Sequence, residues 1–168
     1  MRRIAIQDAN ILIHLVNIGL FSHCLALEYH FCTTQLIFEV ELNEKQIAII
    51  QVHINSEKFS VIEISDVELL EIQLESLEDS RLSLQDWSAI YYAQRDSALL
   101  LSGDKHMKRI SESRGIEVHG ILWVFDEIVH REIISESEAC NFLKDLMNRN
   151  RWLPVDECQK RIELWCGK

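Results

Sequence analysis

Residues 98–119 run ALLLSGDKHMKRISESRGIEVH, and their order decides the architecture. Ala98 to Leu101 form a short unbroken apolar run, the pattern of a strand covered on both faces. Ser102 and Gly103 make a turn, and Asp104 stands where a helix wants its N-cap. Residues 105–114 read as a helix that stops at Gly115, a suitable helix terminator. Residues 116–119 give one more short strand. The same alternation runs upstream. Ile4 and Ile6 mark a strand over residues 3–7, and Ile11, Leu12, Leu15 and Val16 share one face of a helix over 11–20. A second strand lies near His30 to Thr33, and residues 35–50 are helical in pattern. Residues 59–64 are rich in β-branched side chains and read as a strand. Ser65 and Glu68 form a capping box that opens a helix through Leu74. Residues 83–95 are helical, with Trp87, Ile90, Tyr91 and Gln94 at helical spacing. Such alternation predicts an α/β fold: a central parallel sheet of about five short strands with helices on both faces.

Beyond this the pattern changes. Residues 121–131 form a helix, Ser135 and Glu138 box the start of another, and Ala139, Leu143 and Leu146 are its apolar stripe. Pro154 precedes a last helix with the stripe Val155, Cys158, Ile162 and Trp165. The 168 residues suit a single domain, with a core fold over 1–131 and a helical C-terminal extension over 132–168. No apolar run approaches the roughly 20 residues of a membrane span. Arg2 and Arg3 resemble the start of a signal peptide, but Asp8, Asn10 and His14 interrupt any apolar segment behind them. Five cysteines with no paired Cys-x-x-Cys spacing argue against a disulfide frame or a zinc site and for a reduced, cytoplasmic setting. With 27 acids against 17 bases, the net charge of −10 argues against indiscriminate nucleic-acid binding.

In open α/β sheets ligands bind beyond the carboxyl ends of the strands. Four carboxylates map there: Asp8 after the first strand, Glu39 on the helix after the second, Asp86 in a first helical turn, and Asp104 after the ALLL strand. Singly, each has an ordinary explanation. Asp8 and Asp104 are good caps, Ser83 and Asp86 have capping-box spacing, and Glu39 fits a solvated helix face. Together they repel one another unless a cation is present, and hard ions such as Mg²⁺ or Mn²⁺ take such oxygen ligands.

The segments IAIQDANILI (4–13), LSLQDWSAIYYA (82–93), ALLLSGDKHMKRI (98–110) and IEVHGILWVF (116–125) resemble a PIN domain, nearest to the bacterial toxin type. The resemblance covers residues 1 to about 131. It implies a Mg²⁺- or Mn²⁺-dependent endoribonuclease that hydrolyses RNA phosphodiesters, often held by a cognate antitoxin and commonly dimeric. Carried over by position, it implies Asp8, Glu39, Asp86 and Asp104 as catalytic and metal-binding acids. Thr33, Leu36 and Glu39 have the expected spacing, while a shifted register makes Glu41 the alternative to Glu39. Asn10 and Ser102 are the small polar residues beside the first and last acids. Lys105, Lys108 and Arg109 give a basic helix beside Asp104, suited either to phosphate contact or to an ordinary solvated face.

Other chemistries lack their residues. An aspartyl-phosphate phosphatase needs a second Asp two residues after Asp8, where Asn10 stands. There is no Walker A loop, GxGxxG, GxSxG or HExxH. The non-enzymatic alternative is a catalytically silent PIN-like module that binds a partner through its C-terminal helices.

Overall fold

A computed structural model describes residues 3–166. Among them the chain forms β1 (Arg3–Gln7), α1 (Ala9–Asn17), α2 (Phe21–Cys24), β2 (Tyr29–Thr34), α3 (Gln35–Val40), α4 (Glu44–Asn55), β3 (Phe59–Ile62) and α5 (Asp66–Ser76). There follow α6 (Leu84–Arg95), β4 (Leu99–Leu101), α7 (Lys105–Ser113), β5 (Val118–His119), α8 (Ile121–His130), α9 (Glu136–Arg149) and α10 (Val155–Cys166). All strand pairs are parallel, in the order β3-β2-β1-β4-β5. The chain therefore builds outward from β1 in one direction, then returns to its other side. That reversal puts the topological switch point between β1 and β4, where ligands of open α/β sheets bind.

Strand side chains alternate between two cores. Ala5, Phe31, Leu99 and Leu101 face one, with α1, α2, α8 and α9. Ile6, Cys32, Leu100 and Val118 face the other, with Trp87, Ile90 and Tyr92 of α6. Helices thus cover both faces, as the unbroken apolar strands require. Gly115, at φ +76°, takes the left-handed conformation that ends α7.

The structure departs from the sequence pattern at several points. The helix expected over 35–50 is two helices, because Asn43 and Gln46 form a reciprocal capping box that starts α4 afresh. Glu41 becomes the C-cap of α3. On α6 the fully buried tyrosine is Tyr92, not Tyr91. Tyr91 turns outward and its hydroxyl donates to Glu71. The short α2 has no counterpart in the sequence reading.

The C-terminal stripes go to the sheet domain. Ala139, Leu143, Leu146, Cys158 and Trp165 join the core of α1 and α8, which leaves these residues unavailable to a partner. Val155 is the exception, 63% exposed. The Trp165 ring stacks on Phe125, centroids 6.3 Å apart, and Arg161 grips Asp126 through Nε and Nη2 at 2.8 and 2.5 Å. Cys140 and Cys166, Cα atoms 5.8 Å apart, form a disulfide between α9 and α10. This corrects the expectation, drawn from five cysteines without paired spacing, of reduced thiols throughout, because the pairing depends on the short turn that folds α10 back along α9. Cys24, Cys32 and Cys158 are buried free thiols.

Trp165→Ala removes the ring that docks α10. We expect a loss of about 3–5 kcal/mol in urea unfolding, with faster protease cleavage in the 150–154 turn. Unchanged stability would show that the extension is not part of the cooperative domain.

Candidate active site at the ends of the central strands

The register pairs Gln7 with Leu101, so Asp8 and Ser102 leave adjacent strands side by side. The Asp8 N–H donates to the Leu101 carbonyl at 3.0 Å, which extends the ladder one step past the assigned strands. Asp8 is only 2% exposed. Its Oδ1 accepts from the Ile11 N–H at 3.0 Å, capping α1, and its Oδ2 accepts from Ser102 Oγ at 2.5 Å. Ser102 Oγ in turn accepts from the Asp104 N–H at 3.1 Å. The hydroxyl's own proton is therefore directed at Asp8, and the carboxyl, the hydroxyl and the loop backbone form one chain.

Asp104 caps α7. Its Oδ1 accepts from the N–H groups of His106 and Met107 at 2.6 and 2.8 Å. Asp86 sits in the capping box of α6, its Oδ2 accepting from Ser83 N and Oγ at 2.9 and 2.7 Å. Among the described residues neither Asp104 Oδ2 nor Asp86 Oδ1 has a hydrogen-bond partner. Each acid therefore fulfils its structural role with one oxygen and keeps the other. Burial pushes the Asp8 carboxyl up to about 7, and the charges of Asp86 and Asp104 push the same way against the hydrogen bonds from Ile11 and Ser102.

Three of the four sequence-expected acids thus share one electrostatic neighbourhood, and Glu39 stands apart. It is exposed on the last turn of α3, where its Oε1 accepts from Gln35 Nε2 at 3.0 Å. It lines a separate groove along the β3 edge with His30, Phe38 and Glu63. The cause is local: Thr34 caps α3 and Ile37 enters the core, which turns Glu39 two residues later to the outside. Glu41 is exposed at the α3 C-cap. Asn10 is exposed in the first turn of α1. Lys105 has no ion pair among the described residues, Lys108 lies 3.7 Å from Glu112, and Arg109 donates to His106 Nδ1 at 2.8 Å.

The sequence reading missed the polar floor beneath Asp8. Gln7, Thr33, Thr34 and Ser88 are fully buried. Thr33 Oγ1 donates to the Gln7 carbonyl at 2.9 Å. Ser88 Oγ donates to the Gln85 carbonyl at 2.6 Å, so Thr34 is the donor in the 2.6 Å Thr34–Ser88 contact that ties α3 to α6. Gln7 Oε1 is buried without a partner. The signal was present: polar residues closing otherwise apolar strands.

The donor set is all oxygen, two carboxylate oxygens are free, and a carboxyl whose pKa is raised chiefly by burial also faces like charge. These features fit a hard divalent cation. As the side chains stand, no three His, Cys, Asp or Glu among the described residues surround one point closely enough to hold it, because each Asp keeps its cap.

The site is a set of three carboxylates at the switch point of a parallel α/β sheet, the place where open sheets bind their ligands. A family model described as DUF3368, a PIN domain, matches residues 4–166, and the chain belongs to this family. The match runs through α9 and α10, so the helical extension lies within it. PIN domains are generally nucleases. Among solved structures, PAE2754 from Pyrobaculum aerophilum is similar at 16% identity and TM-score 0.52, over 77% of this chain and 99% of that one. A PilT N-terminus domain protein, SSO1118 from Sulfolobus solfataricus, matches at 14% identity and TM-score 0.43, over 75% and 93% of the two chains. No curated protein matches the chain.

The raised Asp8 pKa has a stability consequence. A carboxyl raised on folding stabilises the fold most when protonated, below its ordinary value of 3.8, and that contribution is lost as pH rises through about 7. In chelator at pH 8, Asp8→Asn, which can keep the α1 cap, should therefore melt about 5–10 °C above the parent. The gap should shrink toward pH 5. A gap independent of pH would mean that Asp8 is not held in its protonated form by the fold.

Proposed function

We propose that this chain is a divalent-metal-dependent endoribonuclease of the toxin type. The observation that carries the reading is the buried Asp8 carboxyl, bonded to Ser102 and flanked by the half-free carboxylates of Asp86 and Asp104 at the switch point. Asp8, Asp86 and Asp104 are the residues that would hold Mg²⁺ or Mn²⁺. Glu39 would join them only through a rearrangement of α3, and Glu41, beyond the end of that helix, is the weaker alternative. When bound, such an ion supplies Lewis-acid polarisation of a phosphodiester and activation of water.

The protein's own contributions follow from their positions. Ser102 orients Asp8 and draws Asp104 toward it through the loop N–H. Lys105, next to Asp104 and without an ion pair, is placed to receive a phosphate oxygen. Lys108 and Arg109 lie further along α7 and have competing partners. Asn10, exposed beside Asp8, is a polar contact for the substrate backbone. RNA is the proposed substrate, and a cognate antitoxin and a homodimer are the proposed partners. No described helix is long and apolar enough to cross a membrane.

The test is cleavage of mixed single-stranded RNA by the purified chain with Mn²⁺, with Mg²⁺ and with chelator. We expect activity only with metal, a loss of about 100-fold or more in Asp8→Asn and Asp104→Asn, and a smaller loss, about tenfold, in Lys105→Ala. Metal-independent cleavage, or variants that cleave like the parent, would refute the reading.

A further inference from the structure

Helix α5 and its C-cap Leu77 carry an apolar stripe that lies outside both cores among the described residues. Val67, Leu70, Leu74 and Leu77 are 66, 61, 68 and 80% exposed. Their spacing of three, four and three residues is that of the a and d positions of a heptad. In that register Ile72 falls at f, opposite the stripe, and it is fully buried. The helix thus has two apolar sides, one spent on the fold and one left open. The positions flanking the open seam within the helix are Asp66 and Gln73 at g and Glu71 at e, all exposed. Residues 59–80 contain seven acids and no Lys or Arg. Arg95 and Arg114 reach this helix from elsewhere, but they bind on its inner flank, through Glu68 and through Glu75 and Glu78. The same sign continues in the neighbouring groove along β3, whose rim holds Glu39, Glu57 and Glu63.

We propose that α5 is the docking surface for a cationic amphipathic helix of another protein, which lays apolar a and d residues on the Val67–Leu77 seam and basic e and g residues against its acidic flanks. The charge selects among occupants. A second copy of α5 would set Glu71 against Asp66 in a parallel pair, or the two Glu71 side chains against each other in an antiparallel one, and like charges there repel. RNA and anionic lipid are repelled by the same acids. The inference does not rest on the nuclease reading, because none of these residues belongs to the Asp8 cluster.

The probe is a synthetic helix of about 21 residues, three heptads, with Leu at a and d and Lys at e and g, and a twin with Glu at e and g. Binding is followed by fluorescence anisotropy, and the state of the chain alone by sedimentation. We expect the Lys peptide to bind the parent. Binding should weaken at least about tenfold with Leu70→Ser/Leu74→Ser, and also at about 0.5 M salt, where exposed charges are screened. Asp66→Asn/Glu71→Gln, which leaves the apolar seam intact, should weaken it by charge alone. The Glu peptide should not bind, and Asp8→Asn, inactive as a nuclease on our reading, should bind like the parent. The proposal is overturned if both peptides bind alike, if the Lys peptide does not bind, or if Leu70→Ser/Leu74→Ser converts a homodimer to a monomer.

Discussion

Placing one carboxyl at the buried end of the central strand is the constraint on which the site depends. β1 is paired on both sides, so the residue that follows it emerges into protein and not into water. An isolated ionised carboxylate there is costly, and the structure answers with a backbone N–H from Ile11, a hydroxyl from Ser102 and a raised proton affinity. The neighbouring acids do not relieve Asp8; they add to its difficulty. Proton and cation thus compete for the same position. In the absence of a cation, a proton on Asp8 offsets the repulsion near neutral pH, and at higher pH the fold carries an unneutralised charge. Architecture and chemistry meet in this residue, because the parallel pairing of β1 with β4 both buries Asp8 and brings Ser102 beside it.

The strands and their alternation with helices were legible because each buried strand is a short apolar run closed by a turn or cap residue. Asp8, Asp104 and Ser83 with Asp86 could be placed for the same reason: their capping chemistry is local, and their positions at strand ends or a first helical turn follow from the alternation. What escaped was non-local, concerned facing, or was hidden under a continuous apolar pattern. The Asn43–Gln46 box divides a segment whose apolar periodicity runs straight through it. Tyr91 and Tyr92 differ by one helical step, and it is Tyr92 that enters the core while Tyr91 reaches Glu71 of α5. Thr34 and Ser88 are 54 positions apart, and the Cys140–Cys166 disulfide requires a helix hairpin that spacing does not announce. Glu39 illustrates the limit most clearly. Its spacing from Thr33 matches the family pattern, yet the side chain bonds to Gln35 on the outer flank of α3.

The distribution of charge says more than its total. The seven acids of residues 59–80 lie in the loop after β3, on α5 and in the turn after it, beside the edge strand of the sheet. The site lies at the sheet centre, and the helix leading from it carries Lys105, Lys108 and Arg109. Between the two regions Asp79 marks a boundary. It accepts from Arg81 Nε at 2.9 Å and pairs with His106 Nε2 at 2.9 Å, which joins the end of the acidic segment to the first turn of α7. The hydrogen bonds from Arg81 hold the Asp79 carboxyl well below the usual range, so it stays ionised. A polyanion approaching Asp8 therefore meets repulsion from the α5 side and a field of the opposite sign along α7. Long-range electrostatics of this kind set the direction of approach more than the final affinity. A net charge of −10 is compatible with a nucleic-acid substrate on these terms: seven of the 27 acids are gathered along α5 and its flanking loops, away from the Asp8 cluster, and the repulsion among the acids of that cluster is what a divalent ion would relieve.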